Sequence, residues 1–162
     1  MSADATSLSL SPEAEARIDD LQGRYPTLEA TLLPVLWEIQ NHHQWISREW
    51  MEYAARRCQI PLSKVLSVVS FYTMFHTEPP GKYHVQVCRN ITCHMMGGPE
   101  LRARIKERLG IEGGGKTEDG RFSLEEVECL AGCSWAPVMA VNGTYHENLT
   151  PEKAVLILDE LP

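Results

Sequence analysis

Two pairs of cysteines constrain this chain more than anything else in it. Cys88 and Cys93 have four residues between them, Cys129 and Cys133 have three, and thirty-five residues separate the pairs. Four soft thiolate donors in two short segments are a donor set for a metal–sulfur centre. A [2Fe–2S] rhomb takes two ligands on each iron, so two ligand pairs in two loops suit it. Zinc is the first alternative, but zinc knuckles favour short hairpins, and both pairs here fall on strand-to-loop turns. A Rieske-type centre needs two histidines on one iron. His94 follows Cys93, but no histidine accompanies the second pair at a matching offset. Redox-active or unligated thiols are the remaining alternative. The fifth cysteine, Cys58, lies at a helix end far off in sequence and reads as a small buried apolar residue.

Composition enters as a set of exclusions. The chain has 162 residues and a formal charge of −7. Six basic residues face ten acidic ones in 1–80, and nine face twelve in 81–162. Neither half is basic, which argues against a nucleic-acid surface. No apolar run approaches the ~20 residues of a membrane span. The opening Met-Ser-Ala-Asp-Ala-Thr-Ser has no basic segment and no apolar stretch, so no secretory leader is expected. An odd cysteine count without an export signal favours reduced thiols over a disulfide scaffold. A cytoplasmic chain is expected, and the Asn-x-Thr triplets at Asn90, Asn142 and Asn148 are read as chance.

Hydrophobic period and breakers divide the chain in two. Residues 1–10 read as a polar tail. Ser11-Pro12 starts a helix to about Arg24, with Ala14, Ile18 and Leu21 inward. A second helix carries Leu28, Leu32, Val35, Leu36 and Ile39, with Pro34 marking a kink or its true start. Ser47 caps a third, over 48–57, with Trp50, Tyr53 and Ala54 inward, and Leu62, Val65, Leu66 and Val69 mark a fourth. The aromatic stretch Phe71–Phe75 is rich in strand formers. Pro79-Pro80-Gly81 is the expected boundary between a helical bundle, 1–80, and a second domain, 81–162. There, Tyr83–Cys88 alternates as a strand and a loop holds Cys93. Pro99 opens a helix in which Glu100 is placed to pair with Arg104. Residues 121–128 and 137–141 form further strands. Asn142-Gly143 turns a hairpin into 144–148, and Thr150-Pro151 starts a last helix. The order β-α-β-β-β-α predicts an α+β chain: an N-terminal helical bundle, then a thioredoxin-like domain with a four-stranded mixed sheet. Both cysteine pairs then sit in loops able to converge.

Specific stretches carry a resemblance. Phe71-Tyr-Thr-Met-Phe75, Gly81-Lys-Tyr83, Val87-Cys-x-Asn-x-x-Cys93, Asp119-Gly-Arg-Phe-Ser-Leu-Glu-Glu-Val-Glu-Cys129, Ala136-Pro-Val-Met139 and Tyr145-x-Glu-Asn-Leu-Thr150 resemble the [2Fe–2S] subunit of bacterial NADH:quinone oxidoreductase, respiratory complex I. The resemblance runs from about Leu28 to the end. It implies a thioredoxin-like [2Fe–2S] ferredoxin domain with Cys88, Cys93, Cys129 and Cys133 as cluster ligands. It also implies a partner, the flavoprotein subunit that binds NADH, FMN and its own iron–sulfur cluster, with further peripheral-arm subunits and peripheral association with the membrane through the complex. The chain itself would transfer no hydride and would carry single electrons. Related subunits in NAD-linked hydrogenases and formate dehydrogenases are the alternative holoenzymes. Two departures stand out: the family often has Cys-Leu-Gly-x-Cys where Ala131-Gly132 occurs here, and a polar residue, often Asn, where Trp135 stands. Trp135 is expected to shield the cluster or contact the partner.

Other features need weighing. Gly110–Thr117 spells a P-loop but follows a helix and leads into a strand, the reverse of what phosphate binding needs. Residues 47–69 resemble a helix-turn-helix, as in [2Fe–2S] redox-sensing regulators, yet 61–69 offers only Lys64 and serines to DNA. His42-His43 and the basic residues at 102, 104, 106 and 108 read as solvated helix positions. Gly97, Gly98 and Gly132 would let backbone pass close to the centre, with plain turn formation the equal alternative for Gly97-Gly98.

Overall fold

The computed structural model describes residues 8–162, so most of the expected polar tail lies outside the described residues. Its last member, Leu10, is buried in the helical core instead. The chain divides into two compact units, one ending at Pro79 and one running from Pro80 to Pro162.

In the first unit, α1 spans Pro12–Arg24, with the Ser11 hydroxyl accepting from the Ala14 N–H at 3.3 Å. A 3-10 turn, Glu29–Thr31, precedes α2, Leu32–His43. Pro34 therefore sits in the first turn of α2, where a missing N–H breaks no bond, and the helix begins near it rather than kinking. Gln44 ends α2 at φ 64°. Helix α3 spans Arg48–Cys58 behind its Ser47 cap, and α4 spans Leu62–Phe71. Their apolar stripes converge on a core of Ile18, Val35, Leu36, Ile39, Ile46 and Val65, all inaccessible to solvent. Tyr53 is only half-buried, because its hydroxyl donates to Glu15 Oε1 at 2.7 Å. Lys64 is spent on an ion pair with Glu29, and Val65 and Val69 face the core, so α4 has little to offer a DNA groove.

The aromatic stretch after α4 forms no strand. Phe71 closes the helix, the Phe75 N–H donates to Tyr72 C=O at 3.0 Å, and the Phe75 ring packs into the core with its centroid 5.6 Å from that of Trp37. The buried Gln40 amide holds this turn from both sides. It donates to Met74 C=O at 2.7 Å and accepts from the His76 N–H at 2.8 Å. A buried amide satisfied on both ends fixes a loop as a ladder would fix a strand.

In the second unit, β1 (Tyr83–Cys88) and β2 (Phe122–Val127) run parallel, and β3 (Met139–Val141) and β4 (Thr144–His146) continue antiparallel in the order β2-β1-β3-β4. Parallel neighbours need a crossover, supplied by α6, Gly98–Leu109. Tyr83, Val85 and Val87 share a face with Phe122 and Leu124, which packs against Leu101 and Ile105 of α6 and Ala154 and Leu158 of α7, Pro151–Glu160. The opposite face carries a polar net in which His84 contacts Ser123 at 2.9 Å and Glu125 at 3.1 Å. Asn142 and Gly143 both have positive φ, as the two-residue hairpin demands. Among the described residues, no helix is long and apolar enough to cross a membrane.

Candidate metal centre

Parallel pairing decides where the cysteines go. Cys88, the last residue of β1, lies opposite Val127, the last residue of β2, two positions before Cys129. Both strands therefore deliver a cysteine to the same end of the sheet. The start of β3 lies at that end too, since the Cys88 N–H donates to Val138 C=O at 3.2 Å. The segment bearing Cys133 returns to β3 through the cis Ala136–Pro137 bond.

The first segment is more ordered than a loop. Residues Ile91–Met95 form a short helix, α5, capped by the Asn90 side chain, which accepts from the Ile91 N–H at 2.9 Å. Cys93 sits inside it. Gly97, at φ 94°, makes the joint to α6. Gly98 packs so closely that a Cβ there would stand 2.5 Å from the Cys93 carbonyl oxygen. Cys88 and Cys93 are almost inaccessible, at 3% and 2%, and cluster with Ala136 and Leu130. Burial, a hydrogen bond with the Cys88 thiol and the nearby Cys133 push the Cys93 thiol up to about 11. An apolar site disfavours a bare thiolate, so a bound cation is what would stabilise the deprotonated form.

The second segment is irregular and its thiols are exposed. The Ala131 N–H donates to Cys129 Sγ at 3.2 Å. Ala131 reaches that position at φ 57°, a left-handed conformation that glycine adopts more easily. Gly132, at φ −94°, is needed for a different reason: a Cβ there would lie 2.8 Å from a Val138 methyl. The departure at these two positions thus trades backbone ease at 131 for clearance at 132. A 3-10 turn, Cys133–Trp135, follows, with Trp135 about half exposed.

All four thiols are free of disulfides. Among the described residues, no three His, Cys, Asp or Glu side chains gather as a ready single-ion site. Four soft donors from two segments, with an amide N–H already turned toward one sulfur, are a donor set that fits a [2Fe–2S] group.

The other candidates disperse. Gly110 caps α6 at φ 67° with its N–H on Lys106 C=O at 2.8 Å. The Gly114 and Gly115 amides bond Leu124 and Glu112 carbonyls, leaving no phosphate cradle. His42 and His43 are exposed, and the His43 ring stacks on Trp50 with centroids 4.3 Å apart. Cys58 is buried beside the Thr31 hydroxyl at 3.7 Å, and burial raises its thiol. Arg104 pairs with Glu107 at 2.7 Å rather than with Glu100. Arg102 and Lys106 are half-buried and paired rather than simply solvated: they reach Glu126 of β2 at 3.3 and 2.7 Å. One turn of helix separates the two, so a single carboxylate from the sheet can serve both. Sequence patterning missed this network because its acidic member lies on another element.

Fold and site define a thioredoxin-like domain with four free thiols at one end of its sheet, preceded by helices. The chain matches the family described as "Thioredoxin-like [2Fe-2S] ferredoxin" over residues 18–162, and it belongs to that family. Its cofactor is accordingly a [2Fe–2S] cluster. It is 36% identical to an NADH-quinone oxidoreductase subunit of Rickettsia bellii, over 99% of this chain and 98% of that protein. It is also 36% identical to the correspondingly named protein of Mycobacterium tuberculosis, over 94% of this chain but 62% of that longer protein. Among solved structures, an NAD+-reducing [NiFe]-hydrogenase in the H2-reduced state superposes with a TM-score of 0.72 at 20% identity, covering 82% of this chain and 23% of that one. At that identity the likeness is one of fold.

Proposed function

We propose that the chain is the [2Fe–2S] electron-carrying subunit of an NADH:quinone oxidoreductase, with Cys88, Cys93, Cys129 and Cys133 as the cluster ligands. The observation that carries this reading is near end-to-end correspondence with a relative of that name at 36% identity. Bound between the two cysteine segments, a [2Fe–2S] cluster supplies one-electron storage beside a flavin that accepts a hydride. The chain's own part is to hold it: Cys88 and Cys93 from the buried side, Cys129 and Cys133 from the exposed side, with the Ala131 N–H on Cys129 Sγ. Hydride chemistry belongs to the partner that binds NADH and FMN. Ile91, Met95, Met96 and Trp135 are all exposed around the cysteines, which supports a protein partner there and favours contact over shielding as the role of Trp135. In this reading the helical bundle 1–80 and the ferredoxin domain 81–162 are separate domains, and membrane association comes through the complex.

The test is an absorption and EPR spectrum of the purified chain with iron and sulfide analysis, together with the identity of co-purifying subunits. Two irons, two sulfides and a flavoprotein accompanied by quinone-reductase subunits are expected. Zinc without sulfide would overturn the cluster assignment. Hydrogenase subunits in place of quinone-reductase subunits would move the chain to the other holoenzyme.

A further inference from the structure

One ion pair joins the two cysteine segments, and each of its members is the neighbour of a cysteine. Arg89 follows Cys88, and Glu128 precedes Cys129. The Arg89 guanidinium donates to Glu128 Oε1 through Nη2 and through Nε, the latter at 3.0 Å. The β1–β2 ladder ends just before it, with the Arg89 N–H on Val127 C=O at 2.9 Å. Beyond that rung the backbones part, one into α5 and the other into the exposed segment. The first segment is secured by its buried thiols and its capped helix. The second has the Ala131 bond to Cys129, a bond from the Trp135 N–H to Gly132 C=O at 3.0 Å, and one from the Asn148 N–H to Trp135 C=O at 2.8 Å. Two contacts beside Cys129 tie it to the first segment: Leu130, packed against Cys88 and Cys93, and the charged one, Glu128. Nearby Glu126 is turned toward Arg102 and Lys106 and leaves Arg89 to Glu128.

An exposed ion pair contributes little to global stability. This one matters for where it sits, closing the fork between two strands at the point where each presents a thiol. We propose that Arg89 and Glu128 are positioning residues of the centre: their ion pair holds the Cys129 segment against the Cys88 segment and so slows loss of the bound cluster. The proposal rests on the four-cysteine ligand reading.

The test uses the full chain with its cluster reconstituted. Decay of the visible absorbance is followed under an iron chelator at low ionic strength, for the wild type, Arg89→Glu, Glu128→Arg and the double exchange. Each single reversal should speed decay roughly two- to fivefold, the scale of one exposed pair. The double exchange should return the rate to near the wild-type value. At about 1 M salt, where screening reaches within a few ångströms, wild type and single variants should converge. Melting of the apo variants should match wild type, which separates positioning from folding. If a reversal prevents folding, Arg89→Gln and Glu128→Gln serve in its place, with the same acceleration expected of each. Singles that decay at the wild-type rate, or a double exchange as fast as the singles, would overturn the clamp. A wild type that takes up no cluster, or a Cys129→Ser chain with an unchanged spectrum, would instead overturn the ligand reading and the clamp with it.

Discussion

The two cysteine segments, proposed to hold one cluster between them, are of opposite construction. The first is built like a core: Cys88 ends a central strand, Cys93 sits in a capped helical turn, and both thiols are buried with Ala136 and Leu130. The second is built like a surface: Cys129 and Cys133 are exposed, and a left-handed alanine turns the backbone between them. The difference separates two requirements of an electron carrier. In the proposed reading, the buried pair would anchor the cluster away from solvent. The exposed pair would leave sulfur near the surface, open to a partner's approach.

The sharpest way to break this contrast is to replace one proposed ligand on each side. Cys93→Ser places a hydroxyl in an apolar site, at the cost of an unsatisfied polar group. No stable cluster is expected after reconstitution. Cys133→Ser leaves its hydroxyl in solvent and should retain a cluster with an altered visible spectrum. Iron and sulfide analysis reads both, and a stable cluster in Cys93→Ser beside none in Cys133→Ser would reverse the roles assigned to the segments.

A second comparison needs no mutation. The thiolate is the reactive form of cysteine, and the Cys93 thiol, at about 11, holds roughly a hundredfold less thiolate at neutral pH than an ordinary thiol. Alkylation of the apo chain, followed by mass spectrometry, should label Cys129 and Cys133 well before Cys93. Raising the pH toward 11 should narrow the gap, since Cys93 gains its thiolate there. Early labelling of Cys93 would mean that the first segment opens in solution.

The smallest effects lie within the second segment. Gly132→Ala drives a Cβ against a buried, χ1-restricted valine and should destabilise the apo chain by about 1–3 kcal/mol in a urea titration. Ala131→Gly relieves the positive φ and should stabilise it by about 0.5–1 kcal/mol. Equal effects from the two would show that the segment relaxes freely and is not held against Val138.

Much of this was legible in the chain. Helices α1 and α3 announce themselves through Ser11 and Ser47, the hairpin through Asn142-Gly143, and the strands through alternation, because caps, turns and period are local properties of neighbouring residues. The stretch 71–75 misled for the converse reason. Its strand-forming aromatics are overridden by packing of Phe75 beside Trp37 and by the buried Gln40 amide, which no local pattern reports. The helix around Cys93 was missed because five residues are too few for a period, although Asn90 as cap was there to be read. The pairing of Arg102 and Lys106 with Glu126 was hidden because helix patterning sees only its own helix.

The chain by itself determined its chemistry: four soft donors at two short spacings, strands to carry them, and an acidic surface. Tertiary structure decided what those donors became. Parallel pairing of β1 with β2 set Cys88 opposite Val127 and brought segments thirty-five residues apart to one end of a sheet. Packing then buried one pair and left the other exposed. Burial and long-range register depend on which elements meet, and spacing along the chain does not record that.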